Sequence, residues 1–171
     1  EFSKETSQMG LLRTHTTVNT IQYLAENPSQ PCRMFTVDRV FRKEAIDRTH
    51  LPEFHQIEGI IMEEGANLQM LVTTLKTFYE KMGYPEVRVR PAYFPYTEPS
   101  LEIEVKWKGK WLEVMGCGMV DPMVLNRMGI DSEKWTGFAA GLGVERFCMV
   151  RHQIDDIRRF YTNDLRFLKQ F

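Results

Sequence analysis

The sequence predicts an α+β fold in which an antiparallel sheet of about five to seven strands is flanked by helices. Three observations predict it. Residues 33–59, RMFTVDRVFRKEAIDRTHLPEFHQIEG, read as two strands joined by a polar loop. Residues 101–105 and 110–114 alternate apolar and polar about Lys108-Gly109, the pattern of a hairpin. The strongest helical stripe, Ala66 to Met82, follows an antiparallel pair, which argues against a simple alternation of parallel strands and helices.

The chain has 171 residues, 43% hydrophobic and 26% charged, which suits one full core better than two. One catalytic domain over 1–171 is expected. The chain opens at Glu1-Phe2 without a methionine and is read as a fragment or minimal core. A formal net charge of −1 supplies no overall basic field, so a nucleic-acid partner needs a local patch or another chain. Cys32, Cys117 and Cys148 are odd in number and far apart, which points to reduced thiols in a cytoplasmic protein. No apolar run approaches the roughly 20 residues of a membrane span, and no signal-peptide pattern opens the chain.

In chain order, the polar residues 1–10 read as a linker or a mobile entry loop. Thr14, Thr16 and Thr17 then offer N-cap hydroxyls to a helix carrying Val18, Ile21 and Leu24, which Asn27-Pro28 stops. His15, just ahead of it, reads by itself as a turn or capping residue. In the strand pair, side chains alternate faces, so Arg42 and Glu44 point one way. Phe54, Gln56 and Glu58 share one face of the second strand, with Ile57 and Ile61 on the other. Buried without partners, such polar groups would cost roughly 2–7 kcal/mol each. A ligand could supply the partners, and a guanidinium, carboxylates and an aromatic ring suit an adenine nucleotide. A solvated face whose charges pair with one another remains the alternative.

The Ala66–Met82 stripe reads as core, with Gly83 ending the helix. Glu86 to Ala92 alternates as a strand, and Tyr93 to Pro99 interrupts it. Pro95 and Pro99 argue against a central strand there, leaving Phe94 and Tyr96 as rings on a rigid edge or as a plug between helix and sheet. The acidic faces of the 101–114 hairpin suit solvent. Glu113 is singled out because Gly116-Cys117-Gly118 follows it and permits close approach to the backbone. Pro122 to Met128 reads as a short helix capped by Asp121 and ended by Gly129. Residues 138–147, FAAGLGVERF, read as a small-residue strand entering a helix. A cation at a helix start is unfavourable, so Arg146 points to an anion bound there. Gly141 and Gly143 do not complete a dinucleotide fingerprint, because Arg146 stands where the third glycine belongs. Zinc spacings and serine-nucleophile signatures are absent from the sequence.

VFRKEAIDRTHLPEFHQIEG resembles motif 2 of the class II aminoacyl-tRNA synthetases, and GLGVERF resembles their motif 3. Together with LLRTHTT, RPAYFPYTEPS, WLEVMGCGMV and NDLRFLKQF, they resemble the phenylalanyl-tRNA synthetase alpha-subunit family over nearly the whole chain. The resemblance implies that Arg42 holds the α-phosphate of ATP and Arg146 the γ-phosphate. It implies that Glu44 receives the adenine amino group, that Phe54 stacks on the base with Arg146 over its other face, and that Arg48 and His50 reach the nucleotide or the tRNA end. For the amino acid, it implies that His15, Thr17, Gln56 and Glu58 grip the ammonium and carboxylate. Phe94 and Tyr96 would then face the substrate ring edge to face, Ala139 and Gly141 form the pocket floor, and Glu113 is a candidate Mg2+ ligand.

Tyr96 and Thr17 depart from the commoner phenylalanine and serine. Motif 1, the amino-terminal coiled coil and any beta-subunit sequence are not in the 171 residues. The implied activity is activation of phenylalanine by ATP and transfer to tRNA(Phe), with a beta subunit and a second alpha subunit as partners. A paralogue that binds amino acid and ATP without charging tRNA is the competing reading. Joint retention of Arg42, Glu44, Gln56, Glu58 and Arg146 argues against a purely regulatory module.

Overall fold

The computed structural model describes residues 3–171. Six strands form one antiparallel sheet: β1 (Cys32–Phe41), β2 (Glu53–Glu63), β3 (Val87–Phe94), β4 (Thr97–Trp107), β5 (Lys110–Val120) and β6 (Thr136–Gly143), in the order β1-β2-β6-β5-β4-β3. The helices are α1 (Lys4–Ser7), α2 (Thr17–Glu26), α3 (Leu68–Lys81), α4 (Pro122–Arg127), α5 (Val144–His152) and α6 (Leu165–Leu168), with a 3-10 turn at Ile157–Phe160. The expected α+β architecture is present.

The two faces of the sheet are covered differently. On one, Leu71, Leu75 and Tyr79 of α3 and Val150 of α5 pack on Ile103, Val105, Met115, Cys117, Phe138 and Leu142. On the other, Leu24 of α2 and Leu125 of α4 pack with Cys32, Ile60 and Met62. Between α2, α4 and the far hairpin that second face stays open, because β6 and β5 place Gly141 beside Gly116 and Ala139 beside Gly118. Small residues at the middle of the sheet leave room that larger ones would fill.

Several local expectations are refined. The α3 helix starts at Leu68, where the Asn67 side chain accepts from the Met70 amide, and Gly83 follows with φ +90°. The α2 cap is Thr16, yet its hydroxyl makes no capping bond, and Val18 (46% exposed) and Ile21 (38%) do not form the core stripe their spacing suggested. Leu24 and Thr20 are the buried pair. The Tyr93–Pro99 segment does not merely interrupt a strand. It is a tight hairpin in which Phe94 pairs with Thr97 across Pro95-Tyr96, joining edge strand β3 to β4. Lys108 and Gly109 both have positive φ, as the β4–β5 turn requires. Gly116 and Gly118 lie within β5.

Candidate active site

The open face forms a cleft of about 350 Å³. At one end, β1 stops at Phe41, so Arg42 and Glu44 stand just beyond the strand rather than on it; both line the cleft. The loop from 42 to 52 is closed by Arg42 N–H donating to the Pro52 carbonyl, 2.9 Å, and Asp47 N–H to the His50 carbonyl, 3.2 Å. The Arg42 Nε donates to the Thr14 carbonyl at 3.0 Å, and its guanidinium carbon lies 5.1 Å from the Phe54 ring centre. Phe54 is the second residue of β2, and its ring lies within van der Waals reach (3.8 Å) of a Cβ at Gly143, where β6 turns into α5.

Arg146, in the first turn of α5, reaches the same end of the cleft. One of its nitrogens donates to Glu113 at 3.0 Å and another lies 3.3 Å from His50 Nε2. The far ring nitrogen of His50, Nδ1, lies 3.0 Å from both Asp47 oxygens. A carboxylate only accepts, so Nδ1 carries the proton and Nε2 is left to accept from Arg146. Asp47 also accepts the Thr49 and His50 amides at 2.7 and 2.8 Å, which holds its carboxyl well below the usual range. Arg48 is turned elsewhere, donating to the Asp155 carbonyl at 3.3 Å, and does not line the cleft. Of the two loop residues expected to reach the nucleotide or the tRNA end, His50 borders the cleft and Arg48 does not.

Glu113 reaches the cleft through an irregularity. Ile103 pairs with Met115, but Glu104 pairs with Glu113, so Val114 is an extra residue in β5. The bulge resets the alternation and puts Glu113 on the same side as Gly116. Clean alternation would have put it with Met115 under α3.

At the other end, Glu58 is 4% exposed and accepts the Thr17 hydroxyl at 2.5 Å and the Thr20 hydroxyl at 3.0 Å. No cation pairs with it among the described residues, and burial raises its pKa against the pull of those hydroxyls. Gln56 accepts weakly from the Thr16 amide at 3.4 Å, and its own amide nitrogen points to Gly141, where a Cβ would stand 2.7 Å away. His15 does not act as a simple capping residue: it lines the cleft, its ring centre is 5.7 Å from that of Tyr96, and its Nδ1 is buried without a partner. Burial, then the charge of Arg42, lowers its pKa and keeps it neutral.

Phe94 and Tyr96 also face the cleft, with centres 6.2 Å apart and planes 15° from parallel. They project from the edge hairpin as rings and do not plug the helix–sheet seam. Gly116 makes this possible, since a Cβ there would lie 2.8 Å from the Phe94 ring. Ala139 and Gly141 line the base of the cleft from β6. Every candidate residue named from the sequence except Arg48 therefore borders one space. Thr20, Asp47 and Glu145 were not anticipated. Thr20 lies one turn from Thr17 on α2, and Glu145 precedes Arg146, so spacing and adjacency were the signals available.

The family model described as tRNA synthetases class II core domain (F) matches residues 1–171. The phenylalanine–tRNA ligase alpha subunit of Prochlorococcus marinus subsp. pastoris is 64% identical over 165 residues, covering 94% of this chain and 48% of that protein. Proteins of the same name from Acaryochloris marina and Synechocystis sp. are 55% and 52% identical, each covering 94% of this chain and 49% of the relative. The chain spans about half the length of the curated relatives it matches.

Proposed function

The chain belongs to the class II tRNA synthetase core-domain family, and on that premise we propose that it is the catalytic part of a phenylalanine–tRNA ligase, activating phenylalanine with ATP and passing it to tRNA(Phe). The observation that carries this reading is the single cleft shared by Arg42, Arg146 and Phe54 at one end and by Glu58 with the Phe94–Tyr96 pair at the other. One end suits a nucleotide, the other an amino acid with an aromatic side chain.

Arg42 binds the α-phosphate and Arg146 the γ-phosphate, Phe54 stacks on adenine, and Glu44 takes its exocyclic amine. His50, fixed by Asp47, holds Arg146 in reach of the phosphates. The substrate ammonium supplies the cation that Glu58 lacks, with Thr17 orienting that carboxylate. Gln56 and the unpartnered Nδ1 of His15 serve the remaining polar groups of the amino acid. Its ring lies against Phe94 and Tyr96, over Ala139 and Gly141. The substrate carboxylate oxygen bonds to the α-phosphorus as the bond to pyrophosphate breaks, and the tRNA terminal hydroxyl then displaces AMP. No protein nucleophile is needed, so alignment and charge stabilisation supply the rate.

Mg2+ fits as a companion of the nucleotide. Glu113 and Glu102 line the cleft, and among the described residues no group of three or more His, Cys, Asp or Glu gathers as a metal cage. One or two carboxylates completed by phosphate oxygens is the usual arrangement for this ion. When bound, it neutralises phosphate charge; Glu113 is the residue that would hold it. A beta subunit and a second alpha subunit are the proposed partners. The names of the relatives support a heteromeric enzyme, and Phe35 (75% exposed) and Val37 (51%) on edge strand β1 support a further contact surface. No helix among the described residues is long and apolar enough to cross a membrane. Three free cysteines, with thiol pKa values raised by burial, accord with a reducing cytoplasm.

The test is ATP–pyrophosphate exchange with each aromatic amino acid, with the partner subunit supplied. Arg42→Ala is expected to lower exchange by on the order of a hundredfold or more with circular dichroism unchanged. Exchange at the original rate would remove Arg42 from the mechanism.

A further inference from the structure

Glu145 is a 6% exposed carboxylate beside the cleft that none of the roles above uses. Its two oxygens accept the His55 amide at 3.0 and 2.9 Å; one of them also accepts His55 Nδ1 at 2.7 Å and the Tyr161 hydroxyl at 2.6 Å. The last β2–β6 pair is Gln56 with Gly143, so the His55 amide lies just past the end of the ladder. Glu145 receives it there in place of a strand.

We propose that Glu145 is a positioning residue that sets the width of the adenine slot. His55 is bonded directly to Phe54, and Glu145 directly to Arg146. Joining 55 to 145 therefore fixes the separation of the two groups assigned to opposite faces of the base. The clamp needs a carboxylate, because the partners present three donors and no acceptor to it: the amide, the Nδ1 proton and the phenol. An amide side chain of the same shape turns one N–H against those donors. Tyr161, beyond the 3-10 turn, ties the same point to the C-terminal segment; burial and the adjacent carboxylate raise the pKa of its phenol and keep the proton on the donor. Phenylalanine lies at the other end of the cleft, so slot width acts on ATP and not on the amino acid. This rests on the nucleotide assignment made above.

The experiment measures ATP affinity by calorimetry and KM for ATP and phenylalanine by exchange, on the assembled enzyme, for Glu145→Gln, Tyr161→Phe and Glu104→Gln. Glu104 is a carboxylate of similar exposure (5%) held by Arg88 and Arg90 away from the cleft, so it reports a merely structural loss. Glu145→Gln is expected to raise Kd and KM for ATP about tenfold or more, with KM for phenylalanine unchanged. Tyr161→Phe shifts ATP affinity a few-fold in the same direction, and Glu104→Gln lowers the melting temperature without moving KM for ATP. ATP affinity unchanged in both Glu145→Gln and Tyr161→Phe overturns the clamp. So does a proportional loss of phenylalanine affinity. If the original enzyme binds ATP but forms no adenylate, the ligase reading falls, while the ATP affinity ratio still decides the clamp.

Discussion

Glu58 and Glu104 are the same residue on the same sheet at nearly the same exposure, 4% and 5%, yet their surroundings push them in opposite directions. Glu104 accepts from Arg88 at 2.5 Å and Arg90 at 3.2 Å; these bonds lower its pKa, Arg88 contributing most. It is covered by its own partners, whose side chains are 43% and 55% exposed, so it lies shallow. Glu58 lies beneath protein, receives only hydroxyls, and burial raises its pKa. A fold gains nothing by burying a carboxylate without a cation. The difference separates a carboxylate whose charge is already answered from one left for a ligand to answer.

Removing the Glu58 charge breaks the comparison most severely. Glu58→Gln is expected to cost about 3 kcal/mol of phenylalanine binding, on the order of a hundredfold in KM, because the ammonium loses its counter-ion. Stability moves the other way with pH. A raised folded pKa favours the protonated fold, so the contribution of Glu58 is present below its ordinary value of 4.5 and lost as pH rises through the folded value. At neutral pH the amide variant should be no less stable than the original. A melting curve showing marked destabilisation there would mean that Glu58 is a structural group.

Glu104→Gln provides the opposite sign and a smaller effect. Its lowered pKa stabilises the fold above the ordinary value and loses that contribution as pH falls through the folded value. With both arginines half solvated, the loss at neutral pH should be about 1 kcal/mol, fading in acid. Denaturant melts at two pH values read both variants, and equal pH profiles would erase the distinction between the two sites.

The sequence made one of these environments far easier to read than the other. Glu58 announces itself, since it shares period two with Phe54 and Gln56 on a strand whose other face carries Ile57 and Ile61. Strand pairing, the α3 stripe and the turn at Lys108-Gly109 were legible for the same reason: each is a local pattern. What was hidden depends on contacts remote in sequence. Thr17 read from spacing alone as a cap hydroxyl and Thr20 drew no reading, but sequence separations of 41 and 38 residues close on Glu58. The bulge at Val114 leaves no mark in an alternating pattern, so Glu113 reaches the cleft against parity. His15 read as a turn residue because its neighbour Tyr96 comes from the far edge hairpin. Arg48 could not be separated from His50 by sequence, since Asp155 on the C-terminal segment draws it away.

Thr20→Val sharpens the comparison with the gentlest change. Thr20 is 2% exposed and valine matches its shape, so the variant deletes one hydroxyl bond to Glu58 and little else. That bond lowers the Glu58 pKa against burial, and without it the carboxyl holds its proton to higher pH. The ammonium of the amino acid needs the ionised form, so the loss of affinity should be a few-fold, about 1 kcal/mol, in mildly acidic buffer. It should shrink as pH rises and both proteins ionise. Arg90→Ala, which removes one bond from Glu104, should follow the original protein's phenylalanine affinity at every pH in the same range. Isothermal titration of phenylalanine across that range decides it. A deficit in Thr20→Val that stays constant with pH would mean that the hydroxyl acts by packing α2 against β2 and has no hold on the charge of Glu58.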